Sequence, residues 1–153
     1  IEQISNARRF AFACPALPTC GLAVTESERV LPEVISELET ELAAMGLAEQ
    51  QFTVRMTGCP NGCARPYNAD IGLVGKSIDG KSGEGKYTIF VGGNMIGTRM
   101  NVILKDLVLR SQIVPTLKPL LKCFKDNAQP GETLGDFFHR WGVEALQQLT
   151  PSS

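Results

Sequence analysis

The chain has 153 residues, 43% of them apolar and 20% charged, with a formal net charge of −1. That balance belongs to a soluble globular protein with a real core, and it lacks the clustered Lys and Arg of a nucleic-acid-binding surface. No apolar run approaches the ~18 residues of a membrane span, and the opening shows no zoning of basic, apolar and small residues like that of a signal peptide.

The first residue is Ile1, and IEQISNARRF reads as mid-chain sequence, so the chain is expected to be a piece of a longer protein. Residues 1–24 hold a polar lead, the apolar ARRFAFA segment and a first cysteine pair, Cys14 and Cys20. Pro15 and Pro18 oppose regular structure across that pair, which predicts a loop after a short strand. Residues 25–46 predict a helix. Thr25 and Glu28 have capping-box spacing, and Val30, Leu31, Val34, Ile35, Leu38, Leu42 and Met45 recur at helical intervals before Gly46. Pro32 then belongs in the first turns or at a kink.

Residues 52–99 predict strands around a second cysteine loop. FTVRM alternates, and it runs into TGCPNGC with Cys59 and Cys63. A further strand is expected over Asp70–Val74. Next come an exposed DGKSGEGK hairpin loop, a returning strand over Tyr87–Val91, and a GGNMIGTR turn. Residues 100–150 predict a helical end, with helices in NVILKDLVLR, PTLKPLLKCFKDNA and ETLGDFFHRWG. Strands in the middle and helices at both ends predict an α+β fold with a small mixed or antiparallel sheet.

Five cysteines is an odd number. A secreted disulfide framework is usually shorter, denser in cysteine and even in count, so a reducing compartment is expected. Three chemistries compete for Cys14, Cys20, Cys59 and Cys63: disulfides, structural zinc and an iron–sulfur cluster. The second pair has zinc spacing, whereas the first, with five intervening residues, does not. Gly21, Gly58 and Gly62 let backbone approach inorganic sulfide, and Pro15, Pro18 and Pro60 stiffen the same loops.

The wording of the loops goes further. ACPALPTCGLAVTESERVLP and TGCPNGC strongly resemble the C-terminal part of assimilatory sulfite reductases, the sirohaem-containing component. The likeness continues through CARPYNADIGLVG, GGNMIGTR and GETLGDFFHRWG, nearly the whole chain. It implies the C-terminal half of a nitrite/sulfite reductase-like fold. It implies a 4Fe–4S cluster on Cys14, Cys20, Cys59 and Cys63, with Cys63 also the axial ligand of sirohaem. Asn61 and Gly62 would line the contact between the two groups. The reaction implied is six-electron reduction of sulfite to sulfide.

The implied partners are the N-terminal remainder of the enzyme, sulfite, and an electron donor. ARPYNADIGLVG looks most like the ferredoxin-dependent type, with a flavoprotein reductase as the other donor. The implied setting is bacterial cytoplasm or plastid stroma. The segment by itself is expected to be inactive, because the resemblance puts most basic residues of the substrate pocket earlier in the chain. Sirohaem nitrite reductase, a stand-alone iron–sulfur carrier and a zinc module are the alternatives. No residue of this segment is read as certainly catalytic. Arg65 and Arg99 are the basic candidates near the motifs, and both read more simply as structural. Cys123 reads as a buried thiol, His139 as a packing or surface residue, and Phe137, Phe138 and Trp141 as core or as a contact with the missing part.

Overall fold

The structure is a computed structural model that describes residues 3–151. Its centre is one five-stranded sheet in sequential order: β1 (Ala11–Ala13), β2 (Val54–Thr57), β3 (Ile71–Ile78), β4 (Gly85–Val91) and β5 (Val102–Leu109). β1, β2 and β3 run parallel, and β3, β4 and β5 antiparallel, so the expected small sheet is a mixed one. Parallel neighbours need crossover connections. Between β1 and β2 that crossover contains α2 (Leu31–Ala44); a four-residue α1 (Asn6–Arg9) precedes β1. Between β2 and β3 it is the Cys59–Cys63 loop and a 3-10 turn, Pro66–Asn68. β3 and β4 form the expected hairpin, whose loop is organised by Asp79 accepting from the N–H groups of Lys81 and Ser82.

Helix α2 buries Leu31, Val34, Ile35, Leu38 and Leu42, the stripe read from the sequence. It starts at Leu31, not at Thr25. The hydroxyls of Thr25 and Ser27 do not cap it; they donate to the carbonyls of Gly58 (3.3 Å) and Met56 (2.7 Å). Both side chains are fully buried, and stitching the preceding loop to β2 satisfies them there. Pro32 stands in the first turn, and Gly46, at φ +73°, ends the helix.

The NVILKDLVLR segment is β5, not a helix. Its buried residues Leu104 and Val108 are four apart, which imitates helical spacing. That interval is equally two strand periods, and Asp106 between the two buried residues is exposed, so no clean alternation shows; β5 pairs with β4 through two register shifts, between Phe90 and Ile89 and between Ile89 and Tyr87. The helical end therefore begins at α3 (Ile113–Asn127) and continues through α4 (Leu134–Trp141). A further helix, α5 (Val143–Leu149), follows Gly142, whose φ is +93°. Phe137 and Phe138 are core, and Trp141 stacks on Phe137 at 5.3 Å.

Candidate functional site

Ala13 pairs with Met56 across parallel β1 and β2, so both strands deliver the chain to the same end of the sheet. Cys14 leaves β1 there, and Gly58 and Cys59 leave β2. The Gly58 N–H donates to Cys14 Sγ at 3.4 Å. The first loop turns back on itself through Cys20 N–H to Ala16 O (2.7 Å) and Ala23 N–H to Cys20 O (3.2 Å). It then returns to the second loop, where the N–H groups of Val24 and Thr25 both donate to Gly58 O, at 2.9 and 3.1 Å. A Cβ on Gly58 would lie 2.5 Å from both Ala16 Cβ and Thr25 O, so this position admits only glycine. Cys14, Ala16 and Ala64 form a small buried cluster with Ala23 against it, and Ala64 directly follows Cys63. The first loop thus touches the second on both sides of the CPNGC turn.

Within that turn Gly62 has φ +69°, and the Arg65 N–H closes onto Gly62 O at 2.8 Å. The thiols are graded in exposure: Cys14 is buried, Cys20 and Cys59 are half-buried, and Cys63 is exposed. All are free thiols, so the disulfide reading has no support in the geometry. Among the described residues no three His, Cys, Asp or Glu side chains are close enough to hold one metal ion. A cluster spreads its thiolates over several irons and needs no such convergence on one point.

Cys63 opens onto a cleft of about 590 Å³ also lined by Arg9, Arg55, Arg65, Phe10 and Met95. Among the described residues, no carboxylate lines it. Three guanidiniums, permanently charged, make it a cleft for an anionic ligand. Arg55 also donates to Ala64 O at 3.4 Å and so braces the residue after Cys63. Sequence reasoning singled out only Arg65 of these three. Arg55 could have been found as the charged member of FTVRM, on the strand face opposite Val54 and Met56. Arg9 carries no local signal; α1 brings it in. Arg99 is elsewhere, donating to the carbonyls of Gly92 (2.8 Å) and Gly93 (3.0 Å) and to Asp136, which fits its structural reading.

One buried polar atom marks the site further. Thr57 Oγ1, directly before Gly58, lacks a hydrogen-bond partner among the described residues, although Thr57 is only 1% exposed. Strand alternation puts Thr57 on the face of Arg55. An orphan hydroxyl, free thiols and backbone N–H groups in glycine-rich loops suit a soft, sulfide-containing group. Asn61 is exposed at the tip of the turn, with Gly62 half-buried behind it. His139 is exposed on α4, and Cys123 is half-buried on α3, where burial pushes its thiol pKa up.

Comparison with known proteins bears on this arrangement. Residues 5–152 match the family model described as the nitrite and sulphite reductase 4Fe-4S domain. The chain is 44% identical over 152 residues to a sulfite reductase (ferredoxin) of Synechococcus elongatus, covering 99% of this chain and 23% of the relative. It is 46% identical over 138 residues to a sulfite reductase (NADPH) hemoprotein beta-component of Chromohalobacter salexigens, covering 90% of this chain and 23% of the relative. The solved structure of the Mycobacterium tuberculosis NirA protein is similar at TM-score 0.78 and 26% identity, over 94% of this chain and 27% of that one. Dissimilatory sulfite reductase I shares the fold at TM-score 0.69 and 13% identity, over 97% of this chain and 53% of that one. The chain therefore spans about a quarter of the length of the curated relatives it matches. Relatives named for ferredoxin and for NADPH stand at nearly equal identity, so identity does not separate the two donors.

Proposed function

This chain belongs to the nitrite and sulphite reductase 4Fe-4S domain family, and we propose from that premise that it forms the cluster-binding part of a sulfite reductase. Cys14, Cys20, Cys59 and Cys63 would hold a 4Fe–4S cluster, and Cys63 would also bind sirohaem. The observation that carries the reading is the Gly58 N–H donated to Cys14 Sγ, which ties the two distant cysteine loops together beside the CPNGC turn.

When bound, the two groups supply electrons one at a time for the six-electron reduction of sulfite to sulfide. The chain's own residues do the placing. Cys14 is fixed from below by β1 and by Gly58. Exposed Cys63 faces a cleft large enough to admit part of a tetrapyrrole, and Asn61 and Gly62, which precede Cys63 in the turn, would line the contact between the two groups. Arg9, Arg55 and Arg65 offset negative charge there, whether on the macrocycle's carboxylates or on sulfite.

The N-terminal remainder of the enzyme supplies the rest of the pocket, and ferredoxin or a flavoprotein reductase supplies electrons. No described helix is long and apolar enough to cross a membrane, and a cytoplasmic or stromal setting accords with the free thiols. The family description also covers nitrite reductases, so nitrite is the second reading of the substrate.

Cys63→Ser in the cofactor-bearing protein tests the shared ligand. The expected result is loss of sirohaem absorption from the purified variant. Unchanged sirohaem content would contradict the assignment of Cys63.

A further inference from the structure

Inside the Cys59–Cys63 turn, the carbonyl of Pro60 accepts a hydrogen bond from a side chain. Tyr67 Oη donates to it at 2.6 Å. The ring that carries this hydroxyl is held on several sides. It stands edge-on to Phe90, with centroids 5.3 Å apart and an interplanar angle of 84°. It lies against Gly62, where a Cβ would come within 2.7 Å of Tyr67 Cε2. Its backbone is pinned by Asn101, whose N–H donates to Tyr67 O (2.8 Å) and whose amide donates to Pro66 O (2.6 Å). The phenol is therefore a fixed post under the turn.

Peptide planarity gives that post a consequence. In a trans peptide the C=O and the following N–H point in opposite directions. Holding the Pro60 oxygen toward Tyr67 turns the Asn61 N–H away from the ring. The orientation of such N–H groups is a main means by which a protein tunes a thiolate-bound cluster.

We propose that Tyr67 is a positioning residue whose hydroxyl sets the orientation of the Cys59–Cys63 turn and, through it, the redox potential of the group the turn carries. This rests on the reading that Cys59 and Cys63 hold the cluster. A phenol keeps its proton across neutral pH, so the hydroxyl stays a donor there. Pro60 is exposed, so water can replace the lost donor and the fold tolerates its removal.

The test is Tyr67→Phe in the cofactor-bearing protein, which keeps the ring and deletes only the donor. Two quantities are read beside iron and acid-labile sulfide content: the cluster's midpoint potential and amide hydrogen exchange at Asn61 and Gly62. The expected result is a displaced potential at unchanged iron and sulfide, with exchange at those amides faster by about fivefold, the scale of one net hydrogen bond. Unchanged potential and exchange, with the cluster intact, would overturn the proposal and leave the cysteine assignment standing. If the variant loses iron, exchange decides: unaltered rates overturn the proposal and faster rates support it. Wild-type protein without iron and sulfide would remove the cluster reading itself, and the claim about potential with it.

Discussion

An unpartnered hydroxyl inside a protein costs about 1–3 kcal/mol of lost hydration. Thr57 Oγ1 bears that cost beside Cys59, and neighbouring side chains leave it unrelieved among the described residues. Thr57→Val is nearly isosteric, so it should stabilise the cofactor-free protein by about 1 kcal/mol in thermal unfolding. Destabilisation by a similar amount would mean that the hydroxyl already has a partner in the protein. At this scale the sequence was informative about identity and silent about support. The two close cysteine pairs and the glycines around them were legible, but their spacing left a cluster, zinc and disulfides open, and the choice among them came from the resemblance of the loops. Tyr67 was not. A tyrosine in ARPYN has no pattern of its own, and its role depends on the 3-10 turn that folds it back under Pro60. Arg9 was invisible for the same reason, since its place in the cleft depends on how α1 packs.

Between elements, one carboxylate joins three pieces of chain. Asp70 is fully buried and accepts from the Thr53 N–H (2.9 Å), the Thr53 hydroxyl (2.7 Å) and the Gly135 N–H (2.8 Å). It thereby ties the start of β2 and the start of β3 to the first turn of α4. Asp70→Ala strands all three donors and should cost about 3 kcal/mol or more in urea denaturation. A loss below about 1 kcal/mol would mean that water replaces the carboxylate. The core stripe of α2 and the β3–β4 hairpin were legible, because each follows one clean period or a strong turn signal. β5 was not, because the four-residue interval between Leu104 and Val108 fits a helix as well as a strand, and exposed Asp106 between them hides the alternation. The start of α2 was misread because Thr25 and Ser27 satisfy distant carbonyls, which a local capping rule does not register.

Across the whole molecule, several carboxylates share one electrostatic sign. Hydrogen bonding to Arg8 lowers the pKa of Glu39, hydrogen bonding to Arg99 lowers that of Asp136, and the Ser82 N–H lowers that of Asp79. Each folded pKa lies below its unfolded value, so each contributes stability above the unfolded pKa and loses it as pH falls through the folded one. The urea midpoint should hold at neutral pH and decline as pH drops below about 4.5, the ordinary value for Glu39. A midpoint that rises on acidification would contradict this.

Cys63 and the arginines beside it face outward at one end of the sheet, and the chain spans about a quarter of the curated relatives it matches. Two cysteine loops tied by Gly58 are proposed to carry one iron–sulfur cluster, and iron and acid-labile sulfide analysis of protein purified without air decides this. The expected result is about four irons and four sulfides per chain. Zinc in place of iron, or freely alkylated thiols with neither metal nor sulfide, would contradict it.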